Sequence, residues 1–367
     1  MSMAATAISA DNKPYDRLKD IKAFDESKAG VKGLIDSGIT SVPPFFIHPA
    51  DSLSTIVLPT SSNPNIVPTI DLSGVDSDKR PVLVQQVARA GRELGFFQIV
   101  NHGISLKVME NMIGAIKSFH EQPTEIKSRI YGRDFKRSVA FISNLDLFYT
   151  KAATWRDTLG VRLSHSNFEP EEIPEICRNE VLKWDKEVKQ VGEVLMGLLC
   201  EGLGLEKGKL KKMMFLEGRT IVGHYYPYCP QPHLTFGTKS HTDPAVLTIL
   251  LQDHVGGLQV KHYGEWVDVK PVPGALVINV GDILQMLTND EYKSVEHRVL
   301  ANSCHEPRAS AAVLFNNTNR DDLYGPFEEL ASADKPALYQ PFALSDFLKR
   351  YITNELGGKP LKNHYKL

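Results

Sequence analysis

The chain has 367 residues, is 42% hydrophobic and 23% charged, and carries a net charge of -2. This is an ordinary globular balance with enough apolar residues for a sizeable core, and near-neutrality gives no electrostatic case for nucleic acid or an anionic membrane surface. Its four cysteines, Cys177, Cys200, Cys229 and Cys304, lack C-x-x-C spacing and read as reduced thiols, so with no apolar stretch in Met1 to Asp20 the expectation is a cytoplasmic monomer.

Residues 1–65 read as an extension outside the core. A helix is predicted over Ala23 to Ser37, with irregular chain at Pro43-Pro44 and Ser61-Ser62-Asn63-Pro64. Residues 66–205 read as a mainly helical region with core strands. Ile66 to Leu72 is β-branched and contains Pro68, which suits an edge strand. Val84, Val87, Ala88 and Gly91 give Pro81 to Leu94 the spacing of an amphipathic helix. Gly95 to Val100 reads as a strand, and a second helix runs to about His120. The longest helix is predicted over Pro174 to Leu203, where Val181, Trp184, Val188, Val191, Leu195, Leu198 and Leu199 keep a 3-4 rhythm and Gly202 and Gly204 end it.

From Arg219 the texture changes. Short β-branched segments (Thr220 to Tyr226, Val246 to Gln252, Leu258 to Lys261, Trp266 to Lys270, Leu276 to Val280, His297 to Ala301, Ala311 to Phe315) alternate with turn residues. The apolar run Ala245 to Leu251 is too short to span a bilayer. Regularly spaced short strands predict a double-sheet jelly roll over residues 216–320. The fold class is therefore mixed and β-rich, a double-stranded β-helix core flanked by α-helices. Residues 321–367 form a C-terminal helical segment, whose helix over Phe342 to Asn354 packs outside or caps the barrel mouth.

His241-Thr242-Asp243 is the only H-x-D or H-x-E in the chain. In extended chain, residues two apart share a face. With His297 from a distant strand they make two imidazoles and one carboxylate, the facial ligand set of a non-haem ferrous oxygenase. By itself the tripeptide is weak, since 12 histidines and 44 acidic residues yield about one such match by chance. Arg308 and Ser310 strengthen it. A guanidinium grips a carboxylate bidentately and a hydroxyl adds a third bond, as an organic acid co-substrate needs. Tyr226 is a further phenolic donor. The plain alternative for Arg308 is a structural ion pair. His102 reads as capping a strand-to-helix turn, and His48, His254, His262 and His364 as surface or loop residues.

Gly223-His224-Tyr225-Tyr226-Pro227 through Gln231-Pro232, Ser240-His241-Thr242-Asp243, Gly256-Gly257-Leu258-Gln259-Val260 and Ser294-Val295-Glu296-His297-Arg298 resemble the plant 2-oxoglutarate/iron(II) dioxygenase family. Val67 to Leu72 and Gly95 to Gly103 resemble its N-terminal region. The segments Tyr15-Asp16-Arg17, Lys22 to Asp25 and Lys28 to Leu34 resemble the 1-aminocyclopropane-1-carboxylate oxidase homologue branch, which includes deacetoxyvindoline 4-hydroxylase-like and steroidal glycoalkaloid hydroxylase-like enzymes. The resemblance implies Fe(II) on His241, Asp243 and His297, and 2-oxoglutarate on Arg308, Ser310 and Tyr226. Ascorbate would be the reductant, and dioxygen and a small hydrophobic molecule the partners. His224 stands where much of the family has Asn, either as a mark of the branch or as a fourth ligand.

Mapped by the same resemblance, substrate contacts fall on Thr158 and Gly160 in the loop region before the barrel, and on Val222, Leu314 and Asn316. Most are small or apolar, which leaves room for an alkaloid, steroidal glycoalkaloid or flavonoid, with hydroxylation the expected outcome. Leu314 and Val222 also suit an ordinary core. The rivals are a true 1-aminocyclopropane-1-carboxylate oxidase, against which the long extension argues, and a metal-free binding module on the same fold.

Overall fold

Strands from both halves of the chain meet in one sheet. They are Thr69–Asp71 (β1), Phe96–Val100 (β2), Val139–Ile142 (β3), Asp157–Arg162 (β4), Gly218–Tyr226 (β5) and Phe236–His241 (β6), followed by Leu247–Gln252 (β7), Leu258–His262 (β8), Glu265–Asp268 (β9), Leu276–Val280 (β10), His297–Leu300 (β11) and Arg308–Asn316 (β12). The computed structural model describes residues 15–56, 66–134, 137–164, 168–353 and 361–367. An eight-stranded sheet has the order β1-β2-β10-β7-β12-β5-β4-β3 and faces a four-stranded sheet, β6-β11-β8-β9. This is the expected jelly roll, widened by four strands from the N-terminal half. Between the sheets, Phe96, Leu250, Leu258, Val260, Val277 and Val299 form an apolar layer.

Helices cover the outer face of the larger sheet. Along Glu175–Gly202, Val181, Trp184, Val188, Val191, Leu195, Leu198 and Leu199 are all buried, so the 3-4 rhythm does mark the packed face. Gly192 lets this helix touch β12, because an added Cβ would lie 2.7 Å from Phe315. The helices Arg80–Glu93 and Leu106–His120 match the expected segments to within a few residues. Pro68 precedes β1, which lies at the sheet edge, and its carbonyl accepts from Gln98 N.

Three expectations change. The helix predicted over Ala23 to Ser37 is two, Arg17–Ser27 and Gly30–Asp36, because Lys28 and Gly30 adopt positive φ of 53° and 70° and end the first. Thr158 and Gly160 lie on strand β4 and not in a loop. His48 is buried, with Nε2 on the Ala153 carbonyl and its ring edge-on to Phe236. The chain at Ser61-Ser62-Asn63-Pro64 and the helix end at Asn354 lie outside the described residues.

The extension packs a small apolar cluster against the rest of the chain, in which its Phe24, Phe45 and Phe46 meet Trp155. Asp157, fully buried on β4, accepts from Val31 N at 2.8 Å and Lys32 N at 2.9 Å. Arg298 on β11 donates to Thr55 Oγ1 and to the Thr55 carbonyl, both at 2.7 Å. The extension thus braces both strands that flank the site described next. All four cysteines are unpaired. Among the described residues no helix is long and apolar enough to cross a membrane.

Candidate active site

β6 ends at His241, and β11 begins at His297 directly opposite it in register. The chain leaves β6 through Thr242, which donates to Asp282 Oδ2 at 2.8 Å, and this turn aims Asp243 back at both rings. Asp243 Oδ1 lies 3.6 Å from His241 Nε2 and 3.4 Å from His297 Nε2. One donor atom from each of the three residues falls within 4.8 Å of the others. His241 Nδ1–H donates to the Lys239 carbonyl at 3.0 Å and His297 Nδ1–H to the Val295 carbonyl at 3.3 Å. These bonds leave each Nε2 with its lone pair toward the carboxylate. Asn279 Nδ2 holds Asp243 Oδ2 at 3.0 Å, so Oδ1 is the oxygen turned to the rings.

The electrostatics suit a cation. Burial, with His297 nearby, pushes the His241 pKa down to about 3, so its ring is neutral at pH 7 and free to ligate. Burial works against the charge of Asp243, but His297 and His241 together with its hydrogen bonds hold the carboxyl below its usual range. His297 is raised in turn because Asp243 outweighs its own burial. A metal ion would take the place of the proton that pair shares.

The second half of the site lies across the cavity on the larger sheet. Arg308 on β12 is only 2% exposed. Its Nε donates to the Gly256 carbonyl at 2.6 Å, Nη1 to Ser310 Oγ at 3.2 Å and Nη2 to Gln252 Oε1 at 3.1 Å, and its Cζ lies 4.8 Å over the Tyr226 ring. Among the described residues no carboxylate pairs with it, which removes the structural ion-pair alternative. A buried guanidinium without a counter-charge is costly, so this one suits a bound acid. The Tyr226 hydroxyl bonds Thr238 Oγ1 at 3.1 Å.

Register explains how these groups come together. Arg308 pairs with Tyr226, Ser310 with His224 and Ala312 with Val222, while Thr158 pairs with His224 and Gly160 with Val222. Each row presents its side chains to the same cavity of about 770 Å³, which is lined by His241, Asp243, His297, Tyr226, Arg308, Ser310, Thr158, Gly160, Val222, Leu314 and Asn316. All the residues singled out from sequence meet in that one space. Leu348, Lys349, Arg350 and Tyr351 of the helix Leu344–Thr353 line it as well.

Known proteins agree with this geometry. Residues 218–317 match the profile of the 2OG-Fe(II) oxygenase superfamily, and residues 67–182 that described as non-haem dioxygenase in morphine synthesis N-terminal. The 1-aminocyclopropane-1-carboxylate oxidase homolog 1 of Arabidopsis thaliana is 47% identical over 347 residues, covering 94% of each chain. The chain belongs to the 2OG-Fe(II) oxygenase superfamily. Deacetoxyvindoline 4-hydroxylase of Catharanthus roseus is 43% identical to this oxygenase, over 91% of this chain and 85% of that one. The structure of JOX2 in complex with 2OG, Fe and JA superposes with a TM-score of 0.80 at 30% identity, covering 92% of this chain and 97% of that one. The protein is a 2-oxoglutarate-dependent dioxygenase whose chemistry uses iron(II), and its donor sets fit both groups.

Sequence reading missed the residues that support this oxygenase's site. Gln252, Asn279 and Thr238 belong to no short motif and reach the site only through sheet pairing. Gly256 and Gly257 stood within a quoted motif, yet only the structure shows the Gly256 carbonyl fixing Arg308. His224 lies outside the three-residue cluster. Its Nδ1 is 2.9 Å from Thr158 Oγ1, and burial, then the charges of Arg156 and Arg308, drives its pKa well down. Asn279→Ala is expected to weaken iron(II) binding about 10–100-fold, since groups orienting a ligand carry that much affinity. Anaerobic metal titration checks it, and unchanged affinity would deny Asn279 that role.

Proposed function

We propose that this dioxygenase hydroxylates a bulky specialised metabolite, such as an alkaloid, a steroidal glycoalkaloid or a flavonoid, releasing succinate and CO2. His241, Asp243 and His297 hold iron(II), and Arg308, Ser310 and Tyr226 hold 2-oxoglutarate. The observation that carries this reading is an Arg308 without a protein counter-charge facing a His-Asp-His cluster across one deep cavity. The relative named deacetoxyvindoline 4-hydroxylase, similar over most of the chain, supports hydroxylation of a large molecule. Iron(II) with 2-oxoglutarate and dioxygen supplies the oxidation of an unactivated C–H bond.

The protein's own contribution is placement and exclusion of water. Backbone carbonyls of Lys239 and Val295 fix both imidazoles, and Asn279 fixes the carboxylate. Arg308 turns a fork of N–H groups toward the acid. Val222, Leu250, Ala312 and Leu314 line the adjoining wall and give a flat apolar skeleton a dry surface. Thr158, Gly160 and Asn316 lie on that wall and complete the substrate face. Ascorbate would keep the iron ferrous, and the enzyme would work as a cytoplasmic monomer.

The test is a succinate-coupled screen of plant metabolite extract with iron(II), ascorbate and 2-oxoglutarate, read by mass gain of one oxygen. Stimulation by small polar acids alone would end the bulky-substrate reading. Gly160→Phe gives a second check. An added Cβ there meets only the Ala140 carbonyl, at 3.8 Å, so the ring extends into the cavity without straining the strand. Oxidation of the bulky substrate should vanish, while substrate-independent succinate formation and the melting temperature stay near wild type.

A further inference from the structure

Arg156 is a cavity group for which neither the candidate metal cluster nor the Arg308 pocket has a use. It immediately precedes β4, where Asp157 pairs with Tyr225, so it continues the row Arg308–Tyr226 across a third strand. Its side chain lines the cavity. Nη1 donates to Thr238 Oγ1 at 2.7 Å, while Nε is buried with no hydrogen-bond partner. Among the described residues it makes no ion pair. The acids nearest the same wall are already engaged. Asp146 takes Lys239, Glu296 takes Lys261 at 2.6 Å, and Asp243 belongs to the triad.

Its position separates it from the co-substrate pocket. The Tyr226 ring covers the Arg308 guanidinium, while the Tyr226 hydroxyl and Arg156 Nη1 both bond Thr238 Oγ1. A strand lies between the two arginines, so their Cα atoms stand roughly 10 Å apart. Arg156 lines the same cavity as His241 and as Tyr351 of the helix Leu344–Thr353. A guanidinium keeps its charge at any physiological pH and presents a planar fork that matches a carboxylate. Half-buried on the cavity wall, with Thr238 as a neutral partner and no acidic one among the described residues, it is placed to meet an anion from outside.

We propose that Arg156 anchors a carboxylate of the organic substrate, so that the molecule oxidised is an amphipathic acid: one anionic end on Arg156, and an apolar body along Val222, Ala312 and Leu314. This rests on the oxygenase reading above and narrows its substrate class. It replaces a wholly hydrophobic substrate with one carrying a single charge at a fixed place. The anchor then decides which carbon stands before the triad.

The test uses the full-length protein loaded anaerobically with iron(II) and 2-oxoglutarate, titrated calorimetrically with alkyl- and arylcarboxylates such as dodecanoate and phenylbutyrate, each beside its methyl ester. In the wild type at least one acid should bind about tenfold or more tighter than its ester, the scale of one charge-assisted pair. Arg156→Gln should erase that preference by weakening the acid and sparing the ester. Arg156→Lys, which keeps the charge, should retain part of it, and this separates lost charge from a damaged fold. Affinity for 2-oxoglutarate should change less than about twofold in either variant. If no acid outbinds its ester, or if Arg156→Gln weakens only 2-oxoglutarate, the proposal is overturned. A failed oxidation screen would end the functional reading but leave this binding preference standing, so the two fall separately.

Discussion

Asp243→Ala is expected to reduce succinate formation to the level of the iron-free protein while leaving the fold in place. Its Oδ1 is the single oxygen turned to both imidazoles, 3.4 Å from one Nε2 and 3.6 Å from the other. The carboxylate is also the only negative charge in the cluster, facing a wall that carries Arg156 and Arg308. Removal leaves two neutral nitrogens to bind a dication within reach of two guanidinium groups. The backbone has little to lose, because Asp243 follows the end of β6, and its side chain is held by Asn279 Nδ2 and contacts the two histidines. Differential melting separates the two effects. A site ligand present at a hundredfold excess over its dissociation constant stabilises the native state by about 2.7 kcal/mol. Wild type should show that upward shift on adding iron(II) without oxygen, and Asp243→Ala should show none while melting close to the metal-free wild type. Full succinate production by the variant would remove Asp243 from the cluster.

The elements that sequence reading recovered share one property: each has a single buried face with a clean period. The helix Glu175–Gly202 repeats Val181, Trp184, Val188, Val191 and Leu195 toward the sheet, and the jelly-roll strands run β-branched between turns. Strand β4 escaped because both its faces are occupied. Asp157, Leu159 and Val161 point to the core side, while Thr158, Gly160 and Arg162 face the cavity. A segment reading Asp-Thr-Leu-Gly-Val-Arg has too many turn-forming residues to look like a strand. The His-Asp-His grouping was legible as a candidate because two of its members lie two residues apart and a facial ligand set calls for one more imidazole. Arg308 was legible for its spacing from Ser310. Arg156 was not, because nothing local distinguishes an arginine beside a tryptophan from a surface charge. Its meaning comes from the absence of a partner, which only packing reveals. The same holds for Gln252, Asn279 and the Gly256 carbonyl, contributed by chain far away in sequence.

Arg308→Lys is expected to raise the half-saturating 2-oxoglutarate concentration by about 10–100-fold, the loss that goes with one or two charge-assisted hydrogen bonds. The guanidinium has five N–H groups. Three are committed to Gly256, Ser310 and Gln252, which leaves one on each Nη for an incoming carboxylate. Both lie in the guanidinium plane, and the Tyr226 ring beneath it, at 4.8 Å from Cζ, keeps the plane fixed. An ammonium has three N–H groups on one atom and a shorter reach. To touch the acid it must abandon the Gly256 carbonyl or the Gln252 amide, and each buried polar group left unpaired costs about 1–3 kcal/mol. The substitution therefore weakens the co-substrate and lowers the melting temperature together, in contrast to Asp243→Ala, which spares the fold. Titrating 2-oxoglutarate at saturating iron(II), with succinate as readout and no organic substrate, isolates the pocket from the cavity beyond it. An unchanged half-saturation would mean that the acid binds elsewhere, and the uncompensated guanidinium on β12 would need another anion to explain it.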